Sequence, residues 1–367
     1  MAAEASAKRA IEMRVMTNDS DPRDRGGPQQ PMLLVQDLKK HFPIKGGLLG
    51  RAQAHVKAVD GISFEVRKGE TLGIVGESGC GKSTAARLLI RLIEPDAGTV
   101  ILDGEPVATG LGLTVREMRR QIQMVFQDSY ASLNPRLTIE DSITFGLKAN
   151  GFAKAEAAKR AQSMLRMVGL VPEMFAQRYP HELSGGQRQR VNFARALAMG
   201  PRLLILDEAV SALDKSVEAQ VLNLLQDLKA KLQLTYIFIS HDLNVVQYIS
   251  DRVLVMYLGK VVELGPVDTL YETPRHPYTR ALLSSRPSMD PRKRVSKPPL
   301  SGDPPNPINP PSGCRFRTRC PLAEDVCAKR EPSLTVLDST NLHGVACHAY
   351  AVASGHSQAP VANEPAR

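Results

Sequence analysis

Eight consecutive residues carry the first recognisable chemistry: Gly76-Glu77-Ser78-Gly79-Cys80-Gly81-Lys82-Ser83, with Thr84 following. Glycines let backbone N–H groups curl around phosphate oxygens, and a helix N-terminus adds roughly half a positive charge. The pattern G-x-x-x-x-G-K-[ST] has this meaning only between a strand and a helix. The apolar run Thr71–Val75 and the helical period from Lys82 to Ile93 predict that setting. Lys82 is then placed to reach β- and γ-phosphates, and Ser83 to ligate Mg²⁺. Cys80 sits where only the backbone matters and reads as a small filler rather than a redox switch. The apolar run Leu203–Leu206 ends in Asp207-Glu208. Asp207 is placed to hold Mg²⁺ through water and Glu208 to polarise an attacking water; phosphoryl transfer asks mostly for positioning and charge. Alone, such a pair is an ordinary polar strand end; beside a phosphate loop it reads as catalytic. Leu183-Ser184-Gly185-Gly186-Gln187 precedes a helical run, with Ser184 as N-cap. It is a second anion-favouring helix start, though in isolation it reads as a plain cap.

These groups need a scaffold of alternating strands and helices. Short apolar runs at Thr71–Val75, Leu203–Leu206, Thr235–Ser240 and Arg252–Leu258 read as strands buried on both faces, with helices at Lys82–Ile93 (Ala85, Leu88, Leu89, Leu92 on one face) and Val217–Leu232. That alternation implies a mostly parallel sheet. Strands are also expected at 32–39, 56–66, 99–102 and 121–126, and helices over Ile139–Leu147 and Lys154–Val168 form an inserted helical subdomain. Pro43–His55, with Gly46, Gly47 and Gly50, reads as a loop or hairpin insertion, and Pro298–Pro311, half proline, as an extended connector. No internal repeat is evident.

The 367 residues suffice for about two domains and a large core; 43% are hydrophobic and 23% charged. No apolar run has the length of a membrane-spanning helix, and the N-terminal stretch has no apolar h-region, so a cytosolic chain is expected. Lys and Arg number 47 against 38 Asp and Glu, a formal charge of +9, but the excess is scattered, with small clusters at 292–294 and 315–319. Nucleic-acid binding is not expected on that basis.

With these motifs in place the chain resembles the ATP-binding-cassette (ABC) ATPases over residues 32–270. The resemblance makes Leu183–Gln187 the signature that contacts the γ-phosphate of ATP held by a partner's phosphate loop. It makes Gln127 the Q-loop residue, with a share in Mg²⁺ binding, Ser211–Asp214 the D-loop and His241 the switch histidine. Phe42 looks like the aromatic that stacks on adenine. Alone, each has a plainer reading: a surface amide for Gln127, a loop histidine for His241, core for Phe42. The implied fold is α/β: a P-loop NTPase ABC cassette with a mostly parallel sheet core, an antiparallel β subdomain and a helical subdomain at about 128–195. The implied mechanism pairs two cassettes head to tail around two ATPs, so this chain holds two half-sites.

No coiled-coil arm and no transmembrane domain is fused, and 127–135 looks like the stretch that grips a permease. Arg275–Leu283, Gly313–Pro321, FPIKGG (42–47) and Asp207–Asp214 resemble the oligopeptide/dipeptide importer ATPases, extending the likeness from Met32 to His348. That resemblance implies a second ATPase subunit (a paralogue), two permeases, indirectly a periplasmic or surface binding protein, and a peripheral position on the cytoplasmic face of the bacterial inner membrane. Another cargo, such as nickel or glutathione, is the alternative; a soluble cassette acting on nucleic acid is a weaker one. The expected division is a disordered arm (1–31, where a weak helix over 2–14 has no role), the ATPase domain (32–270), a small Cys-rich C-terminal domain (271–350) and a disordered tail (351–367).

Cys314, Cys320, Cys327 and Cys347 offer four thiolates at spacings of 5, 6 and 19 residues. Structural zinc favours C-x₂₋₄-C pairs, absent here, and four cysteines also satisfy a [4Fe–4S] cluster. The residues alone leave iron–sulfur and zinc level, with free buried thiols behind. The importer resemblance assigns a [4Fe–4S] cluster to these four, as a structural staple more than a redox sensor. Arg315, Arg317 and Arg319 are then either counter-charges to the cluster or a solvated basic face. His343 and His348 are substitute ligands or bystanders.

Overall fold

A computed structural model describes residues 24, 27, 30–45, 52–107, 112–286, 305–338 and 342–360. The expected helix over 2–14, most of the N-terminal arm, the glycines at 46, 47 and 50, the basic cluster at 292–294, the first half of the proline connector and residues 361–367 lie outside the described residues.

In chain order the chain forms β1 (Leu33–Lys45), β2 (Ala52–Val66), β3 (Thr71–Val75), α1 (Lys82–Leu89), β4 (Ala97–Leu102), β5 (Glu105–Pro106), α2 (Val115–Gln121) and β6 (Ile122–Val125). The helical subdomain follows, with α3 (Ile139–Ala149), α4 (Lys154–Met167), α5 (Pro172–Phe175) and α6 (Gly185–Ala198). Then come β7 (Leu203–Asp207), α7 (Lys215–Leu232), β8 (Thr235–Ile239), α8 (Leu243–Ile249), β9 (Arg252–Tyr257), β10 (Lys260–Pro266), α9 (Val267–Glu272), α10 (Pro277–Ser284), α11 (Asp325–Lys329), β11 (Thr335–Asp338) and β12 (His343–Val345).

An eight-stranded sheet runs β11-β12-β10-β9-β3-β8-β7-β6. Its middle, from β9 to β6, is parallel; β10, β12 and β11 add an antiparallel edge. A second, four-stranded antiparallel sheet runs β2-β1-β4-β5. β3, β7, β8 and β9 are buried at every position, as continuous apolar strands covered on both faces must be. Alternation still sorts their side chains. Leu203, Ile205, Ile237 and Ile239 pack with α1 and the antiparallel sheet. Leu204, Leu206, Tyr236 and Phe238 pack with the helical subdomain and α7.

Three readings change. Helix α1 stops at Leu89 rather than Ile93, because Arg91 turns left-handed (φ 54°); Leu92, expected on the core face, is 50% exposed. The residues expected as a separate C-terminal domain are joined to the cassette sheet, β12 pairing with β10 (Glu263 with Val345, Leu264 with Gly344). The expected disordered tail is folded over 351–360: Ser354 and His356 are buried, and His356 Nε2 lies 2.8 Å from Leu322 O. Within the expected arm, Asp24 pairs with Lys68 at 2.5 Å.

Ile237 lies fully buried between β3 and β7. Ile237→Ala should therefore cost about 2–5 kcal/mol, read as a lower urea midpoint with an unchanged denaturant slope.

Candidate nucleotide-binding site

The functional side chains collect at the carboxyl ends of four adjacent parallel strands, where ligands of open α/β sheets bind. β3 leads into the loop at Gly76, β6 ends before Gln127, β7 ends in Asp207 with Glu208 following, and β8 ends just before His241.

Between β3 and α1 three glycines take left-handed or extended-positive angles: Gly76 φ 151°, Gly79 φ 76° and Gly81 φ 108°. A Cβ on Gly76 would fall 2.2 Å from Met256 O, and one on Gly81 2.2 Å from Ala58 O. Nothing lies within 4 Å of a Cβ built on Gly79, so that side of the loop is open. Gly81 is the N-cap of α1 with no side-chain cap, and the first turn holds no acid; the positive end of the helix is left for an external anion. Lys82 is buried, its Nζ donating to Gly76 O (2.7 Å) and Glu77 O (3.0 Å), with Cys80 Sγ at 3.7 Å. Burial raises the Cys80 thiol above its ordinary range, consistent with an unreactive filler. Ser78 and Thr84 complete the loop and the first helical turn.

Ser83 Oγ donates to Asp207 Oδ1 at 2.9 Å. Asp207 is pushed above the usual carboxylate range, first by burial, and further by neighbouring Glu208. Glu208 is held at φ 49°, a sparsely populated conformation for a side-chain-bearing residue and a type of strain found at functional sites. One of its oxygens, Oε2, accepts from Gln127 Nε2 at 2.8 Å and lies 3.4 Å from His241 Nδ1. Three residues separated by up to 114 positions thus meet on a single carboxylate oxygen.

Ser184 and Gln187 form a reciprocal capping box at the start of α6: Gln187 N donates to Ser184 Oγ (3.3 Å) and Ser184 N to Gln187 Oε1 (2.9 Å). A Cβ on Gly186 would meet Val217 Cγ1 at 2.5 Å, so that glycine packs on α7, while Gly185 meets Leu213 more loosely at 3.8 Å. Among the described residues no hydrogen bond or ion pair links 184–187 to the loop at 76–83. Asp214 is exposed at the N-cap of α7. Phe42 is half-buried opposite Val56, two residues before Ala58, the residue touching Gly81. Lys40 Nζ lies 5.7 Å from its ring centre.

Sequence reasoning missed three groups. Asp242 caps α8 through Asn244 N (2.9 Å) and is tied to Lys215 (2.9 Å), fixing the turn that carries His241. An Asp ahead of a helix was the available signal. Tyr278 and Arg319 reach the phosphate loop at Glu77 from the C-terminal region, and no local pattern announces that.

The metal cluster expected on Cys314, Cys320, Cys327 and Cys347 is not supported. Among the described residues no group of three or more His, Cys, Asp or Glu side chains is placed to hold a metal ion. Cys314 and Cys320 are half-buried against the main core, and Cys327 and Cys347 are buried. Burial pushes Cys314 up to about 12 and Cys347 up to about 11, and raises Cys320. No disulfide joins any of the four. Zinc falls with iron–sulfur on the same grounds. His343 bonds Glu263 (2.8 Å) and His348 faces Arg330 O (2.9 Å). Arg315 and Arg319 neither face thiolates nor form a solvated surface. Both are buried and pair with Asp60 and Glu77.

The fold and this constellation define a P-loop ATPase of the ABC type. Residues 59–211 match the ABC transporter family, and residues 262–327 match the C-terminal region of oligopeptide/dipeptide transporters. The chain is 51% identical over 326 residues to the oligopeptide transport ATP-binding protein AppF of Bacillus subtilis, covering 88% of this chain and 98% of AppF. It is 48% identical over 320 residues to the di/tripeptide transport ATP-binding protein DppF of Pseudomonas aeruginosa, covering 87% and 98%. The ATP-binding cassette MJ0796, solved as a post-hydrolysis dimer with ADP and Pi, superposes with a TM-score of 0.55 at 27% identity, covering 64% of this chain and 99% of that one. The chain belongs to the ATP-binding proteins of the oligopeptide/dipeptide ABC transporter family. These relatives are named for ATP binding and peptide transport, not for an iron–sulfur group.

The raised pKa of Asp207 carries a sign. A carboxyl whose folded-state value exceeds its unfolded one favours the fold while protonated and penalises it once pH rises through that value. Asp207→Asn should therefore raise the melting temperature of the nucleotide-free chain at pH 7. The gain should shrink as pH falls toward 4. Calorimetry across that range checks both; a variant less stable than wild type at pH 7 contradicts the assignment.

Proposed function

We propose that this chain is the ATP-hydrolysing subunit that energises a bacterial ABC importer of di- and oligopeptides, turning ATP and water into ADP and phosphate. The observation that carries the proposal is the convergence of Gln127, Glu208 and His241 on one oxygen beside a buried Lys82 loop. The near full-length likeness to AppF and DppF supports the cargo class.

In this reading the N–H groups of 76–83 and Lys82 hold the β- and γ-phosphates, Thr84 adds to the helix start, and Phe42 stacks on adenine. Glu208 accepts the proton of the attacking water. Gln127 and His241 orient that carboxylate and meet the γ-phosphate. Ser83, Asp207 and Gln127 would hold Mg²⁺. Their fit rests on a part-buried hydroxyl–carboxylate pair 2.9 Å apart whose carboxyl is raised chiefly by burial, against the opposing charges of Arg87 and Lys82. Mg²⁺, when bound, neutralises charge on the phosphate oxygens.

Ser184–Gln187 and Asp214 complete the site of a second cassette across a head-to-tail dimer. The exposure of Ser184 and Asp214, and the absence among the described residues of a bond from 184–187 to their own phosphate loop, support that role. The cassette MJ0796 is itself solved as a dimer. Permease partners would dock on the helical subdomain, where Tyr130, Phe145 and Met174 are 51%, 68% and 57% exposed. Two permeases, a paralogous ATPase and a binding protein outside the membrane complete the assembly. The chain lies peripherally on its cytoplasmic side; among the described residues no helix is long and apolar enough to cross a membrane.

Glu208→Gln keeps the hydrogen-bond reach but removes the base. It should leave ATP affinity intact and lower turnover by about 10²–10⁴-fold, trapping an ATP-bound dimer that gel filtration resolves. Turnover close to wild type removes Glu208 from its role. Uptake of a dipeptide panel alongside nickel and glutathione, in cells with and without the gene, tests the cargo: peptide uptake alone should depend on the chain.

A further inference from the structure

Glu77 is an acid inside an anion-binding loop, and every polar group of that residue is bonded. Its carboxylate is gripped by both ends of the Arg319 guanidinium, Nη1 to Oε2 at 3.0 Å and Nη2 to Oε1 at 3.2 Å. Its N–H donates to the Tyr278 hydroxyl at 2.8 Å. Its carbonyl accepts from Lys82 Nζ at 3.0 Å. Arg319 and Tyr278 lie 242 and 201 residues further along the chain, outside the cassette's own motifs. The Arg319 side chain is only 5% exposed and also reaches the Tyr257 hydroxyl at 3.5 Å. Tyr257, Tyr278 and Phe316 pack ring against ring, with centroids 4.6–5.4 Å apart. Nearby, Arg315 bonds Asp60 and Leu258 O, and Gly259 N donates to Cys80 O at 2.8 Å. The C-terminal region therefore backs the loop at Glu77 directly and at Cys80 through the β9–β10 turn.

We propose that Arg319 and Tyr278 are positioning residues for ATP: they hold Glu77 so that the loop amides face the phosphates, and Arg319 cancels a negative charge that would otherwise oppose the nucleotide. The inference rests on the reading of 76–83 as the ATP phosphate loop. Two physical arguments carry it. A loop with three glycines in six residues has little side-chain anchorage, and ordering it at binding costs conformational entropy; a loop already braced avoids that cost. A two-pronged Arg–carboxylate pair is also the strong, directional kind, and removing the arginine leaves an uncompensated carboxylate one residue from the phosphate site.

The test is ATP binding by the full chain, with melting temperature recorded for each variant, and ATPase kinetics in the assembled transporter. Arg319→Gln should weaken ATP affinity by about tenfold, about 1.4 kcal/mol, raising KM while kcat stays within about threefold. Tyr278→Phe, a mild change that keeps the ring packing, should weaken affinity in the same direction. Adding Glu77→Gln to Arg319→Gln should restore most of the lost affinity, because the unpaired charge is gone. A merely structural staple predicts lower melting temperatures with ATP affinity unchanged in both single variants, or a double variant worse than either; either result overturns the proposal. Lys82→Ala separates this from the reading beneath it. If Lys82→Ala binds ATP as wild type does, the phosphate-loop assignment fails; if it loses binding while Arg319→Gln and Tyr278→Phe do not, the brace alone fails.

Discussion

A backbone that wraps a phosphate must pass two points where no Cβ fits. At Gly76 a side chain would strike Met256 O, and at Gly81 it would strike Ala58 O, each at 2.2 Å. Those carbonyls belong to β9 and β2, so the loop is pressed between the parallel sheet and the antiparallel one. The strand order β9-β3-β8 places β3 between two covered neighbours, and burial on both faces leaves its register no freedom to slip. The curl of the loop thus depends on long-range packing as much as on its own glycines. The site's other members stand on strands of the same sheet, so their spacing is set by the same inter-strand distance.

Glu208 shows how that geometry is used. A left-handed backbone turns its side chain off the end of β7, and Glu208 N donates to Ile239 O at 2.9 Å, tying the turn to β8. From its carboxylate a continuous path of contacts runs outward. Gln127 bonds Glu208, and the stretch after Gln127 is held by α6: Asn192 donates to Ser129 O at 3.1 Å, Arg195 bonds Ser132 O, and Arg188 lies over Tyr130 at 5.5 Å. The helix that begins with Ser184 therefore also fixes the exposed loop carrying Tyr130. A shift of either end of α6 must be felt at the other, because packed elements move as units.

Much of this was legible from residues alone, for an identifiable reason. The phosphate loop, Asp207-Glu208 and Ser184–Gln187 are short-range patterns whose meaning is set by a strand or helix within a few residues. Thr71–Val75 emerges as β3 without change. Where the period-3.6 pattern ran on past Leu89, a single left-handed residue, Arg91, stopped the helix and left Leu92 in solvent; apolar periodicity does not encode that turn. The cysteines were misread for a different reason. Spacing reports how many thiols are available, but not how the fold arranges them, and among the described residues they form no group placed to hold a metal ion. The basic residues between them were misassigned for want of their partners: Asp60 and Glu77 lie more than 240 positions away.

A short proline-rich segment cannot bury enough apolar surface to stand alone, and a metal staple is one remedy. This chain uses another. The C-terminal segment lends β12 to the edge of the cassette sheet, inserts Phe316 against Tyr257 and Tyr278, and buries two arginines on cassette carboxylates. Pro307 O accepts from Lys57 N at 3.2 Å, close to the same β2 residue that limits Gly81. A buried Arg–carboxylate pair stabilises little by itself, since desolvation offsets much of its attraction, but it does impose geometry. The segment is thus anchored by contacts whose cassette ends are Asp60, Glu77, Leu258 and Lys57, the residues surrounding the phosphate loop. The anchorage of the segment and the backing of the loop at Glu77 therefore share the same contacts.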